Sequence, residues 1–283
     1  MKPPDFAVPP AASAESMGSG VATVPATGAD FVRKTLVIAE LEVRKLRHDI
    51  TELLTRAVQP ALWLLIFGEV FTRTHVIPTG NLPYRDFMAP GILAQSVLFI
   101  SIFYGIAVIW ERDLGLVHKL IVSPTPRAAL VLGKGLSAGI RALSQAVVVY
   151  TLALLLGVKL NGSPLALAGV VAAVLLGGAC FSTLSLIIAC IVKTRERFMG
   201  IGQLLTMPLF FASNAIYPIE MMPDWLKVAA HANPLTYQVD VLRALMLAGG
   251  TSSFHLGVDF GILGAATTIL VVVAGWLYPT IAR

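Results

Sequence analysis

Charged residues are scarce in this sequence. Only 13% of its 283 residues are Asp, Glu, Lys or Arg, whereas 56% are hydrophobic. A soluble domain carries about 25% charged residues, so this chain has too few to cover a surface that faces water. The composition excludes a soluble enzyme, a disordered protein and a disulfide-rich secreted module, and it indicates an integral membrane protein.

Cysteines and metal-binding or nucleotide-binding motifs are also missing or rare. Cys180 and Cys190 lie in one apolar run, where ten residues of helix would separate them by about 15 Å, so they cannot form a disulfide there. The sequence has no H-E-x-x-H, C-x-x-C, EF-hand or P-loop pattern. We therefore expect that the chain binds no metal or cofactor, hydrolyses no ATP and has no nucleic-acid partner.

A serine in a G-x-S-x-G pattern at residues 135–139 raises the alternative of an intramembrane hydrolase. That pattern needs a strand before the serine and a base within reach. Here it begins a helical span, and no histidine occurs in the later spans. Glycines four residues apart favour a helix-packing face instead, and Gly169, Ala173 and Gly177 repeat the pattern.

Six apolar stretches predict six membrane-spanning helices, because a bilayer core about 30 Å thick needs about 20 apolar residues of helix. They lie at residues 57–72, 87–110, 142–158, 160–192, 198–219 and 260–282, and the third reaches back towards Lys134 when Arg141 is tolerated within it. Fifteen Lys and Arg residues flank these spans on one side and five on the other. The positive-inside rule then places both termini in the cytoplasm. The predicted fold is an all-α integral membrane domain over residues 51–283.

Two segments precede this domain. Residues 1–30 are rich in Pro, Ala, Ser and Gly, which predicts a disordered cytoplasmic tail. Residues 31–50 have a basic face and an apolar face, which predicts an amphipathic helix in the inner membrane interface. A soluble coiled-coil seam is the alternative, although the segment is short for one. The apolar face consists of Val32, Leu36, Ala39, Val43, Leu46 and Ile50.

Two connections between spans are themselves predicted to be helical. Residues 111–127 are too charged to span, and they predict a short cytoplasmic helix that suits docking of a soluble partner, or else a solvated connector. Glu111 would pair with basic groups on residues 31–50 or on that partner. Residues 220–250 contain two short helices, capped by Asp224 and Asn233. Neither can span, so we expect an outer re-entrant or interfacial hairpin that is buried against protein.

Some side chains within the spans have two interpretations. Arg141 lies inside the third span, where it either extends towards the cytoplasm or faces a polar cavity or a subunit interface. The aromatic side chains of spans two and five would suit a hydrophobic or amphipathic cargo, or would simply pack in the core or against lipid. These are Phe99, Phe103, Tyr104, Phe210 and Phe211.

Three stretches carry a resemblance to a known family. The first contains Glu111, Arg112, Gly115, Leu120, Ser123, Pro124 and Arg127, followed by residues 132–134. The second covers residues 214–218 and 222–226, with Pro218, Pro223 and Trp225. The third contains Asn233, Pro234, Tyr237, Asp240 and Arg243. In this order and on this six-span arrangement, the sequence resembles the membrane subunit of type-2 ABC transporters, a family that includes daunorubicin-resistance exporters.

The resemblance implies how the protein works. Two permease chains, identical or different, would pair around a central pathway in a bacterial plasma (inner) membrane. Two ATP-binding cassette subunits would dock from the cytoplasm and hold the ATP and magnesium. Residues 31–50 would be the connecting helix, the first stretch would form the ATPase-coupling helix, and the second and third would form an outer gate. The substrate would be a drug, a lipid or a lipid-linked glycan.

An autonomous channel or a secondary carrier is the alternative function. Secondary carriers commonly place acidic side chains near the membrane midplane. No Asp or Glu lies near the middle of any predicted span. The sequence therefore favours the ATP-driven permease.

Overall fold

The computed structural model describes residues 58–74, 77–80, 82–114, 127–192 and 194–278, with backbone alone for 127–130. The predicted tail at 1–30, the amphipathic helix at 31–50 and most of the predicted coupling helix lie outside these residues.

The described part of the chain is built from helices. Helix α1 covers residues 58–74 and includes a π-helical turn at Trp63–Gly68, followed by Glu69–Thr74. The longer helices are α2 (Tyr84–Asp113), α3 (Arg127–Leu155), α4 (Pro164–Ile191), α5 (Arg195–Phe211) and α8 (Leu256–Leu277). Two shorter helices, α6 (Asp224–Ala232) and α7 (Pro234–Met246), lie between α5 and α8 and follow a 3₁₀ turn at Ile219–Met221.

Four of the described helices are long and apolar enough to cross a membrane. They are Tyr84–Asp113, Val131–Leu155, Pro164–Ile191 and Leu256–Leu277, and they coincide with predicted spans two, three, four and six. The prediction of an all-α membrane protein is therefore confirmed, while the count of six spans stays a prediction.

Helix α5 is shorter than the fifth predicted span. It has 17 residues and ends at Phe211, although the apolar run continues to residue 219. Pro208 lies in its last turn and lacks a backbone N–H, and the chain then leaves the helix at Ala212. The backbone of the following segment is bonded by side chains from other helices, as described below.

The long segments run alternately in opposite directions. At one end of the bundle, the Tyr84 hydroxyl donates to the Ile216 carbonyl at 3.0 Å, and the Asn161 amide donates to the Met246 carbonyl at 2.9 Å. At the other end, Arg195 at the start of α5 pairs with Asp113 at the end of α2. We call the first the hairpin end, because α6 and α7 lie there, and the second the opposite end.

Helix α2 lies at the centre of the bundle and α8 at its edge. In the most apolar stretch of each helix, 78% of the residues are buried in α2 and 17% in α8. Helix α8 exposes large apolar side chains, among them Ile269 and Trp276. Lipid tails would cover such a surface in a membrane, so its exposure fits a membrane protein.

Small residues allow α3, α4 and α7 to pack closely. A methyl group added at Gly178 of α4 would lie 2.7 Å from the Cα atom of Gly139 in α3, so the two backbones are in direct contact. On another face of α4, Gly177 leaves room for the Gln238 side chain of α7, and Gly169 lies against Leu245. The predicted role of these small residues in packing is confirmed.

Candidate functional site

Helix α7 is buried although it carries polar and charged residues. Ten of its 13 residues are buried, and Gln238, Asp240 and Arg243 are among them. It packs against α2, α4 and α8. Helix α6 differs, because it exposes Trp225 and Val228. Backbone that enters a membrane without crossing it needs this kind of protein cover.

The two short helices begin close to where the sequence predicts. Helix α6 starts at Asp224 itself, after Pro223, so Asp224 is its first residue rather than its cap. Asn233 does cap α7, since its side-chain oxygen accepts from the Leu235 amide at 3.0 Å. Its side-chain nitrogen also donates to the Leu209 carbonyl at 2.7 Å. Asn233 therefore ties the end of α5 to the start of α7.

Tyr237 of α7 is hydrogen-bonded to the end of α6. Its hydroxyl donates to the His231 carbonyl at 2.7 Å, and its ring lies 5.2 Å from that of Phe254. Burial raises the pKa of Tyr237. The hydroxyl therefore keeps its proton and remains a hydrogen-bond donor at neutral pH.

Asp240 holds the loop that leads into α8. It is fully buried and accepts from the Ser253 and Phe254 amides at 2.6 and 3.2 Å. The Ser252 hydroxyl lies 3.0 Å from Asp240 and 2.8 Å from Asp259, which is also fully buried. The loop residues and Asp259 were not predicted, because nothing local in the sequence brings them to Asp240.

Arg243 holds the non-helical segment that follows α5. It donates to the Asn214 carbonyl at 2.6 Å, and its guanidinium carbon lies 3.9 Å from the centre of the Phe87 ring. Burial lowers the pKa of Arg243 to about 10, against the opposing effects of Asp240 and Glu220, so the side chain remains charged at neutral pH. Arg243 thus joins α7, α2 and the segment after α5.

The predicted gate residues therefore separate into two groups. Four of them lie in one buried arrangement at the start and along the length of α7: Asn233, Tyr237, Asp240 and Arg243. Pro218 and Pro223 precede the 3₁₀ turn and α6, and Trp225 is 72% exposed. The first group fixes the position of α7, while Trp225 is available at the surface.

Two of the predicted coupling residues have described side chains. Glu111 forms an ion pair with Lys134 at the start of α3, so it has a partner within the same bundle. Arg112 pairs with Asp113 at 3.2 Å. Arg127 begins α3 without a described side chain. Gly115, Leu120, Ser123 and Pro124 lie outside the described residues.

A second contact at the opposite end joins α2 to α5. The Arg195 guanidinium pairs with Asp113 at 2.9 Å and lies over the Trp110 ring, 4.3 Å from its centre. This contact was not predicted, although both Trp110 and Arg195 border apolar runs in the sequence. Together with the ion pair of Glu111, it links the end of α2 to the starts of α3 and α5.

The predicted pathway residues do not form one lining. Arg141 extends from α3 towards α2, and its guanidinium carbon lies 6.0 Å from the centre of the buried Tyr104 ring. Phe210 is buried and meets the edge of Trp63 of α1, while Phe211 is 45% exposed. Phe99 and Phe103 stack on each other at 6.1 Å.

Phe99 and Phe103 also line a groove between α1, α2 and α3. The groove has a volume of about 330 Å³. Its polar side chains were missed by the sequence analysis, which searched the spans for charged residues and not for amides. The lining includes Gln59, Gln95, Ser96, Phe99, Phe103 and Gln145.

Comparison with known proteins adds the family. The sequence matches the ABC-2 type transporter family over residues 34–247, which is most of the chain. The chain belongs to this family. The match includes α1 to α7, the predicted coupling segment and most of the predicted connecting helix.

Three relatives show the extent of the similarity, two of them over most of their own length. Daunorubicin resistance ABC transporter permease protein DrrB1 of Streptomyces coeruleorubidus is 25% identical over 89% of this chain and 88% of its own. Putative transport permease ycf38 of Cyanophora paradoxa is 26% identical over 76% and 74%. Probable multidrug ABC transporter permease YbhR of Escherichia coli K12 is 28% identical over 59% and 45%.

Membership of this family shows which subunit spans the membrane and which hydrolyses ATP. The chain is a membrane-embedded permease subunit of an ABC transporter, and it works with an ATP-binding cassette subunit that hydrolyses the ATP. The permease itself is not an enzyme, in agreement with the missing P-loop.

Proposed function

We propose that this permease belongs to an ATP-driven exporter of a hydrophobic or amphipathic substrate, such as a drug, a lipid or a lipid-linked glycan. The observation that carries the proposal is the family match, together with similarity to a daunorubicin-resistance permease over 89% of the chain. The permease lies in the bacterial plasma membrane with six spans and both termini in the cytoplasm. The alternating directions of α1 to α5 and α8 support this topology.

The complete transporter contains a second permease chain, identical or different, and two copies of the ATPase. The ATPase subunits hold ATP and magnesium, and this chain binds no cofactor. The exposed apolar surface of the described helices is available to membrane lipid and to the second permease.

Helix α2 is the element that would carry movement between the two ends. It has 30 residues and is about 45 Å long. At the opposite end it contacts α3 and α5 through Glu111 and Asp113. At the hairpin end, Tyr84 and Phe87 contact the segment after α5 and Arg243. A push on residues 111–127 by the ATPase would reach the hairpin through this helix.

The coupling step is tested by Leu120→Asp. Leu120 would fill a pocket on the ATPase, and burial of one leucine side chain contributes about 1.5–3 kcal/mol. The variant should insert normally but bind the ATPase about tenfold to a hundredfold more weakly, with a matching loss of export. Co-purification of the two subunits measures docking, with the membrane level of the permease and the Leu120→Met variant as controls. Normal co-purification and export in Leu120→Asp would make residues 111–127 a plain connector.

The topology and the energy source are tested in intact cells and in proteoliposomes. Single cysteines at residues 77–80 or 160–163 should react with an impermeant reagent from outside, and Lys119→Cys should not. Export should require the ATPase and ATP. Labelling of Lys119→Cys from outside would refute the topology, and transport without the ATPase would favour an autonomous carrier.

A further inference from the structure

The groove between α1, α2 and α3 combines an aromatic wall with several carboxamides. Phe99 and Phe103 lie one turn apart on α2, and their rings are inclined by only 26°. Gln59, Gln95 and Gln145 reach the groove from three different helices. Its volume of about 330 Å³ falls in the range of pockets that bind small molecules, roughly 300–1,000 Å³.

Two of these carboxamides lie at similar distances from the hairpin end of the bundle. Gln95 lies eleven residues after the start of α2, and Gln145 lies ten residues before the end of α3. With a rise of about 1.5 Å per residue, both are about 15 Å from the hairpin end. Half of the hydrocarbon core has about the same thickness, so both side chains reach the same central depth.

Gln95 lacks a partner for its polar atoms within the described structure. It is 3% exposed, lines the groove and makes no hydrogen bond with the described residues. A carboxamide that faces a groove in a membrane without a hydrogen bond is unfavourable, because lipid tails offer no partner. A ligand with hydroxyl or amide groups would remove this cost, and a purely apolar ligand would not.

The groove also selects by charge. None of the described side chains that line it is charged. A carboxylate or an amine that entered it would lose hydration without gaining an ion pair from the lining. The nearest charge on α3 is Arg141, one turn before Gln145, and its guanidinium lies towards Tyr104.

We propose that this groove is a cargo subsite for an uncharged amphipathic molecule. Hydroxyl or amide groups of the cargo bond to Gln95 and Gln145, and a planar apolar part lies against Phe99 and Phe103. That the bound molecule is then exported rests on the proposed function, whereas its binding to the groove does not depend on the ATPase. The two ideas are therefore tested separately.

The test uses the full chain in phosphatidylcholine nanodiscs and two fluorescent probes. 4-Methylumbelliferyl β-D-glucoside is uncharged, and 4-methylumbelliferyl β-D-glucuronide carries the same ring with a carboxylate on the sugar. Equilibrium dialysis against loaded and empty nanodiscs gives the affinity of each probe. The glucoside should bind at least tenfold more tightly than the glucuronide. No binding of the glucoside, or equal binding of the two probes, would overturn the proposal.

The variants locate the bound probe. Gln95→Leu keeps the size of the side chain but removes its hydrogen bonds, and should weaken glucoside binding about tenfold. Gln203→Leu is the matched control, since Gln203 is exposed on α5 and does not line the groove. The affinity of this variant for the glucoside should equal that of the wild type. Phe99→Leu should also weaken binding. If Gln95→Leu does not fold, Gln95→Asn shortens the carboxamide and should still weaken binding severalfold.

Other occupants of the groove give different results. If the groove instead meets a second permease chain, Gln95→Leu would change the mass of the particle and leave glucoside binding intact, which would overturn the proposal. If residues 1–57 fill the groove, their removal would raise the affinity for the glucoside equally in Gln95→Leu and Gln203→Leu. That result would also overturn the proposal. Failure of the Leu120→Asp test would leave these binding results unaffected.

Discussion

Arg243 and Arg195 make similar contacts at the two ends of the bundle, in very different surroundings. Each guanidinium lies over an aromatic ring, that of Phe87 at 3.9 Å and that of Trp110 at 4.3 Å. Arg243 is 7% exposed and donates to a backbone carbonyl. The Arg195 side chain is 39% exposed and pairs with Asp113.

The difference indicates which end is fixed and which end can rearrange. If the buried Arg243 side chain moved away, the Asn214 carbonyl would lose its hydrogen bond. Because a buried polar group without a partner is unfavourable, Arg243 holds the hairpin end in one arrangement. An ion pair exposed to water exchanges its partner for solvent at little cost. The opposite end therefore has contacts that a docking ATPase could replace.

The sharpest test exchanges each arginine for methionine. Arg243→Met loses a charged hydrogen bond and a buried cation–π contact, and should destabilise the protein by about 3–5 kcal/mol. Arg195→Met should lower the stability by only about 1 kcal/mol. Thermal unfolding of the purified variants in one detergent measures both, and equal losses would remove the distinction between the two ends.

The second test compares two buried carboxylates at the hairpin end. The Ser252 hydroxyl has one hydrogen but lies within hydrogen-bond distance of both Asp240 and Asp259. Both contacts are hydrogen bonds only if one carboxyl group carries a proton. Asp240 also accepts from two backbone amides and from the Ser253 hydroxyl, which favours its charged form. We therefore predict that Asp259 is the group of this pair that takes up the shared proton.

Asparagine resembles a protonated aspartate, so the two substitutions should differ. Asp259→Asn keeps a donor towards Ser252 and should change the stability by less than about 1 kcal/mol. Asp240→Asn loses charge-assisted hydrogen bonds and should cost about 1.5–3 kcal/mol. Thermal unfolding is again the measurement. A larger loss for Asp259→Asn would reverse the assignment of the proton.

The sequence predicts the long helices well because their signal is local. A long apolar run without charges has one stable form in a bilayer, and α2, α4 and α8 follow from it directly. The same is true of the Asn233 cap and the first-turn Pro234. The fifth span was predicted to end later than α5 does, because no charged residue marks the end of the helix at Phe211. The backbone beyond the helix is bonded by Arg243, which lies 29 residues after Asn214 and so gives no local signal.

The polar contacts of the site depend on tertiary packing and were mostly missed. Glu111 meets Lys134 because α2 and α3 pack side by side, and no local pattern shows this. The groove was missed for a simpler reason. Gln95 and Gln145 are uncharged, so a search for Asp, Glu, Lys and Arg passes over them. A search for amides would have found both residues, but only the packing of α1, α2 and α3 brings them together.

The smallest expected effect is that of the ion pair between Asp113 and Arg195. A double-mutant cycle with Asp113→Asn and Arg195→Gln should give a coupling energy close to the error of the measurement, because both side chains contact water. Raising the salt from about 0.1 M to 1 M shortens the screening length from about 10 Å to 3 Å and should reduce this coupling further. The stability difference between Arg243→Met and the wild type should not depend on salt, because the charge of Arg243 is buried in the wild type. A coupling well above the error of the measurement that also resists salt would show that the opposite end is held as firmly as the hairpin end, and that a docking ATPase would have to break a strong contact.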